Sequence, residues 1–229
     1  MKTDILPNLW QVGGGDLTAP GDAAIYLARF GNSAVLIDAG CGTAHGALVA
    51  NISQCLPEAV PIEYLLLTHC HFDHTGGAAA VRETYGCKIV AHVLEAPYLE
   101  SGDSDVTAAS WYGAWMRPLP IDIKINTDPY PMEIGNGRIT AHHWPGHSPG
   151  SLVYTAEMDD QVVLFGQDVH GPLHPSLLSD AADYQASVRK LLTLDADILC
   201  EGHFGVYSGK EDVRRFIRSF MAAGITSDA

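Results

Sequence analysis

Cations are scarce in this sequence. Its 229 residues include 13 Lys and Arg against 27 Asp and Glu, which gives a formal net charge of −14 at pH 7. Such a chain repels the phosphate backbone of a nucleic acid, and its few basic residues form no run that would offset the repulsion. We therefore expect a solvated acidic surface and no nucleic-acid partner.

Long apolar runs and paired cysteines are missing too. No uninterrupted apolar stretch approaches the roughly 18 residues that a membrane-spanning helix needs, and the first residues contain no signal-peptide core. Five cysteines stand singly, at positions 41, 55, 70, 87 and 200, without a CxxC pair. An odd number of isolated thiols argues against a disulfide framework. We expect a soluble, cytoplasmic protein without a membrane partner.

Hydrophobic patterns predict one α/β domain over residues 1–229, because a chain of this length fits the size of a single domain. Strand-like and helix-like patterns alternate up to about residue 91, and strand-like patterns dominate from about 131 to 165. This alternation implies helices packed outside β-sheet.

Short local signals predict where several elements begin and end. Gly31 marks the turn of a hairpin, and Thr43 is placed to cap the helix that follows. Ser208 and Glu211 have the spacing of a capping box before the last helix, which Gly224 is placed to end.

The stretch from about 93 to 130 has the least regular pattern. Trp111, Tyr112 and Trp115 cluster there, ahead of several prolines. One interpretation is a lid inserted between metal-binding segments, and the other is an aromatic helix face packed on the core. The sequence leaves both open.

Residues 68–77 read Thr-His-Cys-His-Phe-Asp-His-Thr-Gly-Gly and follow an apolar run. Side chains alternate between faces in an extended segment, so His69, His71 and Asp73 are predicted to point the same way. His74 follows as the chain turns into a helix. Imidazole and carboxylate ligands suit zinc or iron better than calcium or magnesium. The motif therefore predicts a metal site.

Three further candidate ligands, His147, Asp168 and His203, each stand where an apolar strand-like run meets a glycine turn. With the first motif, their order along the chain resembles the metallo-β-lactamase superfamily, and the resemblance covers essentially the whole chain. Residues 36–40, Leu-Ile-Asp-Ala-Gly, look like the first motif of that family. The resemblance implies an αββα sandwich, in which two mixed β-sheets lie back to back with helices outside.

The resemblance also implies a ligand set for two metal ions, with Asp168 as the bridge between them. The first ion takes three histidines: His69, His71 and His147. The second takes a carboxylate and two histidines: Asp73, His74 and His203.

Two cations about 3.5–4 Å apart can share a bridging hydroxide at near-neutral pH, while one of them polarises a scissile carbonyl. Asp73 is then both a ligand and the catalytic residue that orients the hydroxide. Asp38 is either a partner that holds a ligand histidine or a turn residue at a strand end. His170 and His174 either contact the substrate or have no part in the reaction.

The subgroups of that family narrow the expected reaction. The seven-ligand set is similar to that of glyoxalase II enzymes, although the segment after Asp168 is unlike theirs. True β-lactamases are exported and generally lack an aspartate at the bridging position, so we expect no β-lactamase activity. Acyl-homoserine lactonases place a tyrosine three residues after the bridging aspartate, where this chain has Gly171. A lactone substrate stays open without that tyrosine.

We therefore predict a dinuclear zinc hydrolase, with iron or manganese as alternative metals, that cleaves a small-molecule ester, thioester or lactone. The alternative is a mononuclear iron persulfide dioxygenase that binds iron through His147, Asp168 and either His69 or His71. A protein that holds metal without turnover is a third interpretation. Homodimers are common in this superfamily, so a second copy of the chain is the macromolecular partner that the resemblance suggests.

Overall fold

Two mixed β-sheets lie back to back in the computed structural model, which describes residues 2–222. The first sheet contains β1 (Thr3–Leu6), β2 (Leu9–Gly13), β3 (Ile25–Phe30), β4 (Ser33–Ile37), β5 (Ile62–Leu66), β6 (Lys88–His92) and β7 (Ile123–Ile125). The second contains β8 (Tyr130–Ile134), β9 (Gly137–His143), β10 (Leu152–Met158), β11 (Gln161–Phe165), β12 (Ile198–Cys200) and β13 (Val206–Ser208). Neighbours in each sheet are neighbours along the chain.

Both sheets combine antiparallel and parallel pairs. In the first sheet β1 to β4 pair antiparallel, and β4 to β7 pair parallel across helical connections. In the second sheet β11 and β12 are parallel, whereas the other neighbours are antiparallel. The helices are α1 (His45–Ser53), α2 (Phe72–Thr75), α3 (Ala78–Tyr85), α4 (Ala96–Ser101), α5 (Ala181–Leu191) and α6 (Lys210–Ala222).

Alternation along the strands divides the core into three apolar layers. Leu27 of β3 packs towards α1, α3 and α4, whereas its neighbour Tyr26 faces the second sheet. On β10, Tyr154 lies between the sheets and Val153 faces α5 and α6. Successive strand residues point to opposite faces, so each sheet buries one face against helices and the other against its partner sheet. The predicted αββα sandwich is confirmed.

Element boundaries differ from the prediction at three places. The apolar run before the histidine motif predicts a strand from Tyr64 to Thr68, but β5 ends at Leu66, because the main-chain N–H of Thr68 donates to the Asp38 side chain at 2.8 Å. The predicted Thr43 cap is wrong, since α1 begins at His45 after Ala44 and no side chain caps it.

The predicted capping box of the last helix is also wrong. Ser208 is the end of β13 and pairs with Ile198, so the main-chain carbonyl of Gly209 receives the first N–H groups of the helical turn. Gly224, the predicted end of α6, lies outside the described residues. No helix within residues 2–222 has the length and apolar character needed to cross a membrane.

The stretch 93–130 is more regular than its sequence pattern indicates. It contains α4 and the edge strand β7, so both ends of the stretch belong to the sandwich. Between them, Trp111 is 53% exposed and Trp115 is 88% exposed, while Met116 is buried. The interpretation that places these tryptophans on the core therefore does not hold.

One hydroxyl ties the second sheet to the segment that carries the first histidines. The buried Tyr154 hydroxyl donates to the main-chain carbonyl of Leu67 at 2.8 Å. We expect Tyr154→Phe to lower the free energy of unfolding by about 1–3 kcal/mol, because the buried carbonyl is left without a donor.

Chemical denaturation would measure that change. Tyr98→Phe is the matched control, since Tyr98 is partly exposed and its hydroxyl makes no hydrogen bond to any of residues 2–222. Equal stability of Tyr154→Phe and the parent protein would contradict the expectation.

Candidate metal centre

The first four candidate ligands follow β5 within a turn and a short helix. His69 and His71 lie in the turn, whereas Asp73 and His74 belong to the single helical turn of α2. The prediction that an extended segment directs Asp73 to the same side as the two preceding histidines is therefore wrong. The four-residue helix instead separates the ligands into two pairs.

His69 and His71 join a buried group with His147 and Asp168, whose potential ligand atoms all lie within 4.8 Å of one another. His71 Nδ1 is 3.0 Å from His147 Nε2. Asp168 Oδ2 is 3.3 Å from His147 Nε2 and 4.0 Å from His69 Nε2. We call these four side chains the first cluster.

Asp73, His74 and His203 form a second cluster within the same limit of 4.8 Å. His203 Nε2 is 3.2 Å from Asp73 Oδ2. The other oxygen of Asp168, Oδ1, is 3.1 Å from His74 Nε2 and 3.4 Å from His203 Nε2. Asp168 therefore presents one carboxylate oxygen to each cluster.

These donors fit metal ions. His69 Nε2, His74 Nε2 and Asp168 Oδ1 are buried and have no hydrogen-bond partner among the described residues. Ligand atoms on a tetrahedral zinc ion, at roughly 2.0–2.1 Å from the metal, lie roughly 3.3–3.4 Å apart, which is close to several of the spacings above. Imidazole and carboxylate groups that converge in this way leave buried lone pairs for which a cation is the natural partner.

Burial gives His69 and His71 of the first cluster the protonation state of ligands. It lowers the pKa of His69 well below its ordinary value, and the neighbouring histidines add to the effect. The pKa of His71 falls to about 3, again because of burial first and His147 second. Both imidazoles are therefore neutral, as metal binding requires.

In the second cluster, by contrast, the pKa values of the two histidines are raised. Burial disfavours the charged form of His74, but the carboxylates of Asp168, Asp73 and Asp38 outweigh it and raise its pKa. Burial alone would lower the pKa of His203, but its contacts with the carboxylates of Asp168 and Asp73 outweigh that effect and raise the pKa to about 10. Without a cation, protons on these imidazoles balance the buried carboxylates.

Asp38 occupies a strand end and also holds a ligand histidine. Its Oδ2 is 2.7 Å from His74 Nδ1, and its two oxygens accept from the N–H and the hydroxyl of Thr68, each at 2.8 Å. It directly follows β4 and has a positive φ of 61°. The contact with Nδ1 leaves His74 Nε2 turned towards Asp168, the arrangement that the ligand-partner interpretation predicts.

His170 and His174 occupy different environments. His170 Nδ1 is 3.0 Å from Oε1 of the buried Glu201, and its ring lies 5.2 Å from that of His203. His174 caps a short helical turn, where its Nδ1 accepts from the N–H of Ser176. The structure therefore brings His170 to the centre and leaves His174 at the surface.

Glu95 is a residue that the sequence analysis missed. This fully buried carboxylate accepts from the N–H of Cys70 at 2.8 Å, from the Ser148 hydroxyl at 2.9 Å and from the N–H of Gly150 at 2.5 Å. Cys70 lies between two candidate ligands, and Ser148 follows His147. Through these hydrogen bonds Glu95 connects the two loops that supply the three histidines of the first cluster.

A cleft of about 620 Å³ opens beside His203. One wall is the loop from Gly14 to Asp22, and the other includes Phe204, which is 58% exposed. In the stretch 93–130, the Tyr112 ring packs against Phe72 with ring centres 5.7 Å apart. A cavity of this volume is of the size that small-molecule sites have.

Comparisons with known proteins agree with this geometry. A family model described as metallo-beta-lactamase superfamily matches residues 18–203. The probable metallo-hydrolase YflN of Bacillus subtilis (strain 168) is 29% identical over 216 residues, covering 81% of each chain. The acyl-coenzyme A thioesterase MBLAC2 of Gallus gallus is 28% identical over 230 residues, covering 89% of this chain and 80% of that protein. A metallo-β-lactamase mutant from Cronobacter sakazakii has a TM-score of 0.79 at 20% identity, covering 97% of this chain and 94% of that one.

A two-sheet sandwich with histidines and aspartates clustered on its loops defines a class of metallohydrolases. The family match extends over most of the chain, and this chain belongs to the metallo-β-lactamase superfamily. The superfamily resemblance noted in the sequence is confirmed, whereas the closer likeness to glyoxalase II stays a prediction.

Substitution of Glu95 tests whether its hydrogen bonds hold the two ligand loops of the first cluster together. In Glu95→Gln an amide NH₂ replaces one acceptor oxygen and faces a main-chain or hydroxyl donor. We expect the free energy of unfolding to fall by about 2–3 kcal/mol. We also expect metal affinity at the first cluster to fall by about 10–100-fold, because the ligand loops lose their common partner.

Competition with a coloured chelator would measure the affinity. Asn51→Ala is the control for lost stability alone, since the Asn51 side chain donates to Val12 from α1, away from the ligand loops. A purely structural role of Glu95 would give both variants the same metal affinity.

Proposed function

We propose that this chain is a dinuclear zinc hydrolase that cleaves a small-molecule ester, thioester or lactone. The observation that carries the proposal is Asp168, whose two oxygens face two separate clusters of candidate ligands. A mononuclear centre would need only the first cluster, and the complete second cluster would then have no ligand role.

A metal pair, when bound, supplies an ionised water near neutral pH and Lewis acidity towards the scissile carbonyl. His69, His71 and His147 would hold one ion and Asp73, His74 and His203 the other. With that chemistry, hydrolysis needs no serine or cysteine nucleophile.

Asp73 has the position of the residue that orients the attacking water. Its Oδ2 lies 3.2 Å from His203 Nε2, and its side chain is nearly buried. A carboxylate at this place accepts a hydrogen bond from the water and limits its rotation before attack.

His170 is the side chain best placed to donate a hydrogen bond to the leaving group. Glu201 accepts from the N–H groups of His203 and Phe204, both at 2.7 Å, which fixes the carboxylate that contacts His170 Nδ1. The His170 ring is thereby oriented beside the second cluster, and its Nε2 is left for the substrate. A fixed donor of this kind stabilises the charge that develops on a departing oxygen.

The relatives support the hydrolytic reaction. Probable metallo-hydrolase is the name of the Bacillus subtilis protein, and thioesterase is that of the Gallus gallus protein. Hydrolysis of a carbonyl ester or thioester is the reaction class that fits both names and both clusters.

Metal analysis tests the dinuclear proposal. We expect two zinc ions per chain in protein purified without added metal. We expect Asp168→Asn to bind less metal at both clusters, because the amide has no negative charge and only one oxygen where Asp168 offers one to each cluster. Atomic absorption would count the ions, with Asp159→Asn on a remote turn as the control. One iron per chain together with oxygen uptake on a persulfide would overturn the proposal in favour of the dioxygenase.

A pair of esters tests the role of His170. His170→Gln is expected to lower kcat for an alkyl ester by about 10²-fold, because the glutamine amide is a weaker donor than an imidazole and cannot transfer a proton to the departing alkoxide. The nitrophenyl ester of the same acid should lose far less, since nitrophenolate leaves unaided. Steady-state kinetics would measure both, and His174→Gln on the same loop is the control. Equal losses on the two esters would contradict this role.

A further inference from the structure

Within residues 2–222, the loops around the centre contain no Lys or Arg. Several main-chain hydrogen bonds hold its loops together there, including Ala23 to Asp73, Ala39 to His74 and Phe72 to Thr107. Seven stretches at this edge are free of Lys and Arg: residues 13–24, 38–44, 68–77, 93–116, 144–150, 166–180 and 201–205.

The basic residues lie elsewhere and most of them are paired with acids. Lys210 and Arg214 contact Asp195 between α5 and β12. Arg117, within the stretch 93–130, contacts Glu83 of α3 at 3.0 Å and is largely exposed. The acidic excess of the chain is therefore not offset near the cleft.

The exposed charge in the wall of the 620 Å³ cleft is that of Asp16. Asp22, the other carboxylate there, is buried and accepts from the Thr18 hydroxyl at 2.5 Å and from the N–H of Cys41 at 2.8 Å. Its charge is taken up by these donors within the protein, so Asp16 is the carboxylate in this wall that is exposed to a ligand.

Uncharged rings supply much of the remaining surface around the centre. Trp111, Tyr112 and Phe204 are 53%, 45% and 58% exposed. Trp111 lies against the His174 ring with centres 5.2 Å apart, so the stretch 93–130 contacts the loop that follows Asp168. Aromatic surface of this kind contacts apolar or aromatic groups of a ligand.

We infer that the substrate is an uncharged ester, thioester or lactone with an apolar or aromatic group, and that acyl thioesters of phosphate-bearing carriers are poor substrates. The inference rests on the proposed hydrolytic function and names the substrate class within it. The phosphates of such a carrier lie many bonds from the thioester and would reach the rim, where Asp16 repels them. Proteins that bind phosphate provide Arg, Lys or helix N-terminal donors at such places.

A matched series of thioesters tests the inference. The same acyl group is offered on N-acetylcysteamine, which is neutral, and on coenzyme A. We expect kcat/KM for the neutral thioester to be higher by about tenfold at low ionic strength. Added salt should raise kcat/KM for the coenzyme A thioester and leave the neutral one unchanged, because screening weakens the repulsion.

Reversing the charge at position 16 tests whether Asp16 causes the difference in kcat/KM between the two thioesters. Asp16→Lys is expected to raise kcat/KM for the coenzyme A thioester about fivefold and to leave the neutral thioester unchanged. Glu157→Lys is the matched control, since it changes the net charge equally on an exposed position of β10 away from the cleft. An equal rise in kcat/KM for the coenzyme A thioester in both variants would contradict the role of Asp16.

Binding measurements separate this inference from the proposed function. Calorimetry with non-hydrolysable thioethers of the two carriers should give the same order of affinity whether or not the protein hydrolyses the esters. Tighter binding of the coenzyme A thioether, weakened by salt, would overturn the inference. Absence of hydrolysis with the whole series, but tighter binding of the neutral thioether, would contradict the proposed function and support the inference.

Discussion

The carboxylate of Asp168 is the group on which the centre depends. It is buried, and its two oxygens face imidazoles from two different clusters. A buried carboxylate is unfavourable unless cations or donors surround it, so the surrounding loops must supply positive charge or a metal ion. The raised pKa values of His74 and His203 meet that requirement with protons, whereas the neutral His69 and His71 leave their ring nitrogens to a metal ion.

Local patterns predicted the elements that have a clear period. β8 to β11 occupy the stretch from about 131 to 165 in which strand-like patterns dominate, because alternation is visible within a few residues. The four residues of α2 are too few to show any period, so Asp73 was assigned to an extended segment. The sequence therefore predicted which side chains are candidate ligands but not how α2 divides them.

Contacts that join distant loops could not be predicted from the sequence. Glu95 is 25 residues from Cys70 and 53 from Ser148, and no motif marks it as their partner. Glu201, two residues before the candidate ligand His203, gave no sign that it would contact His170, 31 residues away. The roles of these carboxylates follow from burial and from the number of donors that each accepts, which are properties of the folded chain.

The candidate ligands are unevenly spread along the chain. Four of them lie within residues 69–74 and three lie at 147, 168 and 203, and Glu95 links the early loop to Ser148 and Gly150 of the later half. On the ribosome the early histidines therefore emerge well before the residues that complete either cluster. An ion bound at that stage would be held by an incomplete set, and each cluster is complete only when the two halves of the sandwich have come together.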